Sequence, residues 1–342
     1  MNQTQQLHKQ ANQFEIVQSM DSFVQDRVHD LLKPIHTNWQ PSSFLPDLAE
    51  ENWKEKIQNF LDLAKGLSDE LLTALVGNMI TEEALPSYQT WLNNLAGVKD
   101  YSGADSHGWA QWIRGWSAEE NRHGDLLNKY LYLCGRVDMH AVETTIQYLI
   151  RNGFDPQTEN DPYLGFVYTS FQERATKISH RNVASLAAKA GDENLHAICG
   201  LIAGDEARHE KAYTLFMKKI FEIDPNGAVI AFAKLMKKRV AMPAKLMSDN
   251  KNKNLFNQYS LIAQSIGVYT ITDYASIIQH LIESWNVKHL KGLSVAAIES
   301  QDYLLSLPDR YYKLAERTKP QKEKIELSWI LKHKHSRIYS TQ

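Results

Sequence analysis

Glu120-Asn121-Arg122-His123 and Glu206-Ala207-Arg208-His209 each set a carboxylate and an imidazole three residues apart. On a helix that spacing points both side chains from one face. The match extends one residue upstream, to Glu119 in the first copy and Asp205 in the second. One Glu-x-x-His carries little weight in a chain with 13 histidines among 342 residues, which also contains a third pairing, Glu193-Asn194-Leu195-His196. Two copies that agree at four positions carry far more. Carboxylates and imidazoles are ligands for hard and borderline metal ions. Two helices bearing Glu-x-x-His, plus one glutamate from each of two further helices, make a two-metal carboxylate site inside a four-helix bundle.

The apolar stripes of the helices locate the two lone glutamates. Ser68 followed by Asp69 and Glu70 marks a helix start, with a side-chain cap and acids in the first turn. Its stripe of Leu72, Leu75 and Met79 reaches Glu82, and Pro86 four residues on deprives the Glu82 carbonyl of its partner, so a bend is expected there. Taken alone, Glu82 reads equally well as a partly exposed member of the Glu82-Glu83 pair. The next helix, 107–134, has the stripe Trp112, Trp116, Glu120, His123, Leu127, Leu131, and Gly135 suits its end. After a loop from Asn152 to Pro162, the third helix runs Phe166, Thr169, Glu173, Thr176, His180, Val183. Beyond Gly191-Asp192 the fourth runs Leu195, Cys199, Ile202, Glu206, His209, Tyr213, Phe216. Ionisable groups in the middle of apolar stripes are costly unless paired or metal-bound.

The order is thus lone Glu, Glu-x-x-His, lone Glu, Glu-x-x-His, a helix pair used twice with pseudo-twofold symmetry. Glu193 and His196 fall in the first turn after Gly191-Asp192, outside the central layer. No metal role is expected of them, and Glu193 suits the helix dipole.

The flanks are helical as well. Residues 10–38 read as one amphipathic helix closed at Pro34, followed by a proline-punctuated connector from Trp39 to Asp47 and a short helix carrying Trp53, Ile57 and Phe60. Past residue 227, helices are expected at 228–239, 253–266, 270–286 and 294–305, with Pro308 as the stop and 309–342 as an extended tail. The fold class is therefore all-α: one domain spanning 1–342, with a bundle core at about 67–222 and added helices at both ends. Hydrophobic residues make up 43%, charged residues 23%, and the net charge is -2. That balance argues against a general nucleic-acid binder. Cys134 and Cys199 lie inside helical patterns and suggest a reducing compartment. No apolar run reaches the ~18 residues of a membrane span. Met1 to Gln6 lacks the character of a signal or transit peptide, so a cytosolic protein is expected.

Four carboxylates and two neutral imidazoles form a hard, oxygen-rich set that suits iron or manganese better than copper or zinc. Four negative charges balance two divalent cations and leave coordination positions open. Ligating histidines need acceptors that fix their tautomers. Asp205 and Glu119 are the candidates, each serving the histidine of the opposite helix, or else plain ion-pair partners of Arg122 and Arg208. Thr176, one turn past Glu173, either turns its hydroxyl to the metal layer or bonds the carbonyl a turn earlier.

The chain resembles the soluble, plant-type acyl-acyl-carrier-protein desaturases. The resemblance rests on Trp39-Gln40-Pro41 with Phe44-Leu45-Pro46-Asp47, on Met79-Ile80-Thr81-Glu82-Glu83-Ala84-Leu85-Pro86, and on Ala118-Glu119-Glu120-Asn121-Arg122-His123-Gly124-Asp125. It rests equally on Phe171-Gln172-Glu173-Arg174-Ala175-Thr176, Asp205-Glu206-Ala207-Arg208-His209-Glu210 and Met242-Pro243-Ala244-x-Leu246-Met247, and runs from about residue 15 to Trp329. It implies a ferritin-like homodimer with two iron ions per subunit. It further implies insertion of a cis double bond, at carbon 9 of a C16–C18 chain held on acyl carrier protein, with O2 and two electrons from ferredoxin. Carried over by position, Glu82 and His123 bind one iron, Glu173 and His209 the other, Glu120 and Glu206 bridge, and Thr176 faces the oxygen site. The plastid members carry a transit peptide, so the resemblance fits a bacterial cytoplasmic protein or a mature form in the plastid stroma. Trp91 and Asn94 depart from the family's chain-length pocket.

Two rivals are weighed against this. An iron-storage subunit needs only the four-helix core. A ribonucleotide-reductase radical subunit needs a tyrosine a turn beyond the first Glu-x-x-His, where Leu127 stands, although Tyr213 follows the second. For docking of an acidic carrier protein the sequence nominates Arg208, Lys211 and Lys218, with the 234–239 basic cluster as the other candidate.

Overall fold

The computed structural model describes residues 12–252, 254–318 and 325–331. The amino-terminal hexapeptide read for targeting signals, and half of the expected tail (319–324 and 332–342), lie outside the described residues. Regular structure among the described residues is helical, apart from one isolated bridge between Val137 and Ile330.

The chain enters as α1 (12–19) and α2 (Asp21–Leu31), where one helix was expected. Met20 turns between them at φ -86°, ψ 0°. The helix ends before Pro34, with Leu32 extended (ψ 140°), because a proline crowds the residues that precede it. Two short 3-10 turns, Ile35–Thr37 and Pro41–Phe44, lead to α3 (Trp53–Lys65). The bundle begins with α4 (Asp69–Glu83), whose cap Ser68 accepts the Leu71 amide at 3.1 Å. Pro86 lies in the first turn of a separate helix, α5 (Leu85–Asn93), where a proline costs no hydrogen bond.

Helix α6 (Gly108–Leu133) carries the first Glu-x-x-His. The sequence reading passed over α7 (Met139–Asn152), an amphipathic helix capped by Asp138. Helix α8 (Pro162–Ala190) ends at Gly191, whose φ of +84° is left-handed backbone that a side chain would strain. Asp192 then caps α9 (Glu193–Ile223), accepting the Leu195 amide at 2.8 Å and the Tyr130 hydroxyl at 2.5 Å. The remainder is α10 (Pro225–Lys238), α11 (Leu255–Ser265), α12 (Ile271–Ser284) and α13 (Val295–Arg317).

Pro308 does not stop α13, which runs on to Arg317. An interior proline costs ~3 kcal/mol. The turns beyond it recover this by packing, as Tyr311 lies 4.8 Å from the Tyr274 ring of α12. The tail is also tied down. Trp329 is fully buried, donates to Thr145 Oγ1 at 3.1 Å, and offers its carbonyl to the Asp138 amide at 2.8 Å.

The buried apolar side chains fall into two clusters. Trp112, Trp116, Phe166, Tyr213 and Phe216 belong to one, and Leu72, Leu127, Leu131, Val183 and Ile202 to the other. Along α6 and α9 the two Glu-x-x-His motifs sit where one cluster gives way to the other. The core is two apolar halves with an ionisable layer between them.

Candidate metal centre

Glu82 from α4, Glu120 and His123 from α6, Glu173 from α8, and Glu206 and His209 from α9 meet in that layer, and all six are buried. They form two overlapping groups. Glu82, Glu120, His123 and Glu206 place ligand-type atoms within 4.8 Å of one another, and so do Glu120, Glu173, Glu206 and His209. Glu120 and Glu206 belong to both. The decoy pair does not join them: Glu193 and His196 are exposed, and His196 Nδ1 lies 3.0 Å from the Ala184 carbonyl oxygen.

Both histidines turn Nδ1 inward. His123 Nδ1 lies 3.1 Å from Glu120 Oε2 and 3.1 Å from Glu206 Oε1. His209 Nδ1 lies 2.7 Å from Glu120 Oε1, but the two atoms are not aligned for a hydrogen bond. Glu120 Oε1, Glu206 Oε1 and His209 Nδ1 are all buried without a hydrogen-bond partner among the described residues. Convergent lone pairs in a dry interior are expensive unless cations lie between them. The donor set, four carboxylates and two imidazoles, fits a pair of hard divalent metals.

The outward nitrogens meet the two carboxylates that precede the bridging glutamates. His123 Nε2 lies 3.4 Å from Asp205 Oδ2, and His209 Nε2 lies 2.9 Å from Glu119 Oε2. The ion-pair alternative is present at the same time. Arg208 donates to Glu119 at 2.9 Å and to Asp205 at 2.5 Å, and Arg122 reaches Asp205 at 3.3 Å. Arg208 also donates to the Leu31 carbonyl at 2.7 Å. It is engaged inward at three points, which removes it from the docking residues nominated from sequence.

Sequence reasoning missed several participants. Trp39 donates its indole N–H to Asp205 at 2.9 Å, stacks on His123 with ring centroids 6.0 Å apart, and lies under the Arg122 guanidinium. Asn38 and the Lys33 amide both donate to Glu119 Oε1. The connector therefore wraps this outer layer. The available signal was a tryptophan within a proline-punctuated, polar stretch.

The charges are tightly linked. Burial pushes the Glu82 carboxyl up to about 7, with Glu206 and Glu120 adding repulsion that His180 only partly offsets. Burial, with Glu206 and Glu120, drives Glu173 well above the usual carboxylate range. Burial also works against ionised Glu120, but His123 and His209 outweigh it and hold its carboxyl well below that range. Burial opposes a charged His209, yet Glu120 and Glu119 lift it to about 9. Without metal, the two imidazoles supply the positive charge that the carboxylates need.

An apolar cavity of about 370 Å³ reaches the layer between α4, α8 and the carboxy-terminal helices, with Glu82, Thr176, Tyr259 and Tyr274 in its wall. A second, of about 70 Å³, is lined by Glu120, Glu173 and Glu206 together with Leu92, Phe154, Tyr168 and Trp91, and shares Glu82 and Thr176 with the first. Thr176 lines both, and its hydroxyl donates to the Gln172 carbonyl at 2.9 Å. Lys211 and Lys218 are exposed but line neither cavity, whereas Arg239 lines the larger one.

The fatty acid desaturase family matches residues 12–331. The stearoyl-[acyl-carrier-protein] 9-desaturase 1 of Arabidopsis thaliana is 54% identical over 320 residues, covering 92% of this chain and 81% of that protein. The palmitoyl-[acyl-carrier-protein] 4-desaturase 3 of Ophrys sphegodes is 52% identical over 320 residues, covering 92% and 80%. Among solved structures, a Mycobacterium tuberculosis H37Rv protein described as the acyl-ACP desaturase DesA2 matches 84% of this chain and 99% of its own. Its TM-score is 0.53 and its identity 16%, a likeness of fold. With a buried Glu/His cluster at the heart of a helical bundle and matches across nearly its whole length, the chain belongs to the fatty acid desaturase family.

Proposed function

We propose that the chain is a di-iron desaturase of acyl chains carried on acyl carrier protein, and the cavity pair is the observation that carries this. A large apolar cavity meets the carboxylate layer at Glu82 and Thr176, and a smaller one lined by those same two residues also borders Glu120, Glu173 and Glu206. A saturated chain threaded through both would pass its middle carbons along the cluster. Glu82 and His123 would hold one iron, Glu173 and His209 the other, with Glu120 and Glu206 between them. Bound there, the irons supply O2 activation. The overall change is R–CH2–CH2–R′ + O2 + 2 e⁻ + 2 H⁺ → R–CH=CH–R′ + 2 H2O, with ferredoxin as the proposed electron donor and a homodimer as the working form.

The protein's part is to bind, orient and exclude water. Asp205 and Glu119 fix the tautomers of His123 and His209. The apolar walls strip water from the chain. Trp91 closes the far end, held by its indole N–H to Thr158 at 2.9 Å and by edge contacts with Phe154 and Tyr168. The length beyond the cluster sets how far the chain advances, and so the bond position. The relatives named above differ on that point, and carbon 9 of a C16–C18 chain is the position proposed here.

Thr176 sits where both cavities meet the cluster. Its hydroxyl donates to the Gln172 carbonyl, and rotation about its Cβ–Oγ1 bond would turn that proton towards the cavities it lines. Thr176→Val keeps shape and metal content. It should slow desaturation about 10²-fold or more, the usual worth of a positioned proton donor, and raise the O2 consumed per double bond. Normal rate and unit coupling in the valine variant would make Thr176 a packing residue.

Acyl carrier protein is acidic, so docking belongs to basic residues at the cavity opening. Arg239 is exposed there, while Lys234 and Lys238 are already paired with Glu159. Arg239→Glu should raise KM at low salt about tenfold, with a smaller effect from reversing Lys211 and Lys218 together. KM values insensitive to Arg239 and to ionic strength would contradict this surface.

The test of the function itself is direct. Iron-loaded protein is supplied with a ladder of saturated acyl chains on carrier protein, reduced ferredoxin and O2. The expected product has lost two hydrogens, with the bond located by mass spectrometry. Unchanged acyl chains across the ladder would overturn the assignment.

A further inference from the structure

The two lone glutamates are not held alike. Glu173 places Oε2 3.7 Å from His209 Nδ1 and receives the Trp116 indole N–H on Oε1 at 3.0 Å. Trp116 lies four residues before Glu120 on α6. Under the pseudo-twofold relation that pairs α6 with α9, the matching position is four residues before Glu206. That residue is Ile202, which has no polar hydrogen to offer Glu82. A different residue fills the gap. His180, seven residues past Glu173 on α8 and fully buried, sets Nε2 2.8 Å from Glu82 Oε1, while Glu82 Oε2 lies 3.9 Å from His123 Nδ1. Its own counterpart, seven residues past Glu82, is Gln89, beyond the break that Pro86 introduces.

His180 is also a costly residue to bury. Its Nδ1 has no partner among the described residues, so the Glu82 contact is its one hydrogen bond. A histidine kept only for packing would ordinarily have both nitrogens satisfied. The ring forms part of the wall of the large cavity beside Thr176 and Ser179, so Glu82 is backed from the cavity side, whereas Glu173 is backed by an indole from the smaller cavity.

We propose that His180 is a positioning residue that holds the outer oxygen of Glu82 and so aims the inner one at the metal shared with His123. The site's two metals are thereby made inequivalent. This rests on the di-iron reading above. Fixed by an N–H donor on one oxygen, Glu82 binds through the other. Without that donor it is free to rotate in a cavity wall. Outer-shell partners of this kind are worth about 10–100-fold in metal affinity.

The experiment is an anaerobic Fe(II) titration of the metal-free full chain, with Mössbauer spectra of the ⁵⁷Fe-loaded protein and thermal unfolding as a check of fold. The wild-type chain should take up two irons with two distinguishable environments. His180→Phe keeps a ring without a donor. It should retain one tight iron, weaken the other about 10–100-fold, and alter one of the two spectral components. His180→Gln, which restores an N–H at similar reach, should recover both irons. Wild-type affinity and an unchanged spectrum in the folded phenylalanine variant would overturn the proposal. If that variant does not fold, loss of an iron in the glutamine variant would overturn it equally. A wild-type chain that takes up no iron would instead overturn the di-iron reading itself, a separate failure.

Discussion

Glu120→Ala is expected to empty both metal positions, because Glu120 is common to the two ligand groups, whereas Glu82→Ala should weaken only one. The same substitution removes the carboxylate nearest to His209 Nδ1 and one of the two equally near His123 Nδ1. Activity should fall to background, a loss of at least about 10⁶-fold at the low end of enzymatic accelerations. His209→Ala, which belongs to one group only, should lose the metal on its own side, and desaturation with it. The controls are Glu193→Ala and His196→Ala. That pair has the same spacing, but it is exposed in the first turn of α9, and metal content and rate should stay unchanged. Metal analysis with a desaturation assay on all five variants decides it. Equal damage from the exposed pair would mean that the layer has been wrongly drawn.

Asp205→Leu is expected to cost both fold stability and metal. Asp205 is fully buried and receives Trp39, Arg122 and Arg208, with Lys33 Nζ 3.5 Å away, while His123 Nε2 rests against it. Burial alone would raise its carboxyl. His123 and Arg208 reverse that and hold it well below the usual carboxylate range. Removing the carboxylate strands buried guanidinium charge, which typically costs about 3–5 kcal/mol, or on the order of 10 °C in Tm. It also releases the His123 ring, so the metal on that side should weaken about 10–100-fold. Asp205→Asn keeps the shape and an acceptor, and should lose less of each. Thermal unfolding of metal-free protein isolates the first effect and Fe(II) titration the second. An Asp205→Leu variant as stable as the parent, with both irons tight, would show that this network is dispensable.

The ligand layer was legible in the sequence because helical periodicity is strict. Once Trp112, Trp116, Leu127 and Leu131 fix the inward stripe of α6, Glu120 and His123 have no other face to occupy. The crossed pairing of Asp205 and Glu119 was readable for the same reason, since each precedes a bridging glutamate by one residue. What the pattern could not pair was set by tertiary contact. Trp39 reaches Asp205 from a connector with no periodicity of its own, and His180 meets Glu82 across 98 residues of sequence. Arg208 looked like a surface cation by composition, but two buried carboxylates hold it inward. Pro308 looked like a stop, but packing of Tyr311 on α12 carried the helix through it. Propensity gave way to packing in that case. Helix α7 was overlooked because its stripe of Val142, Ile146 and Leu149 is short and carries no ligand-type residue.

The most direct measurement is a crystal of the iron-loaded chain with diffraction collected at the iron absorption edge. Two anomalous peaks are expected between Glu120 and Glu206, one beside Glu82 and His123 and the other beside Glu173 and His209. A single peak, none, or iron at Glu193 and His196 would contradict the two-metal centre on which the proposed desaturation depends.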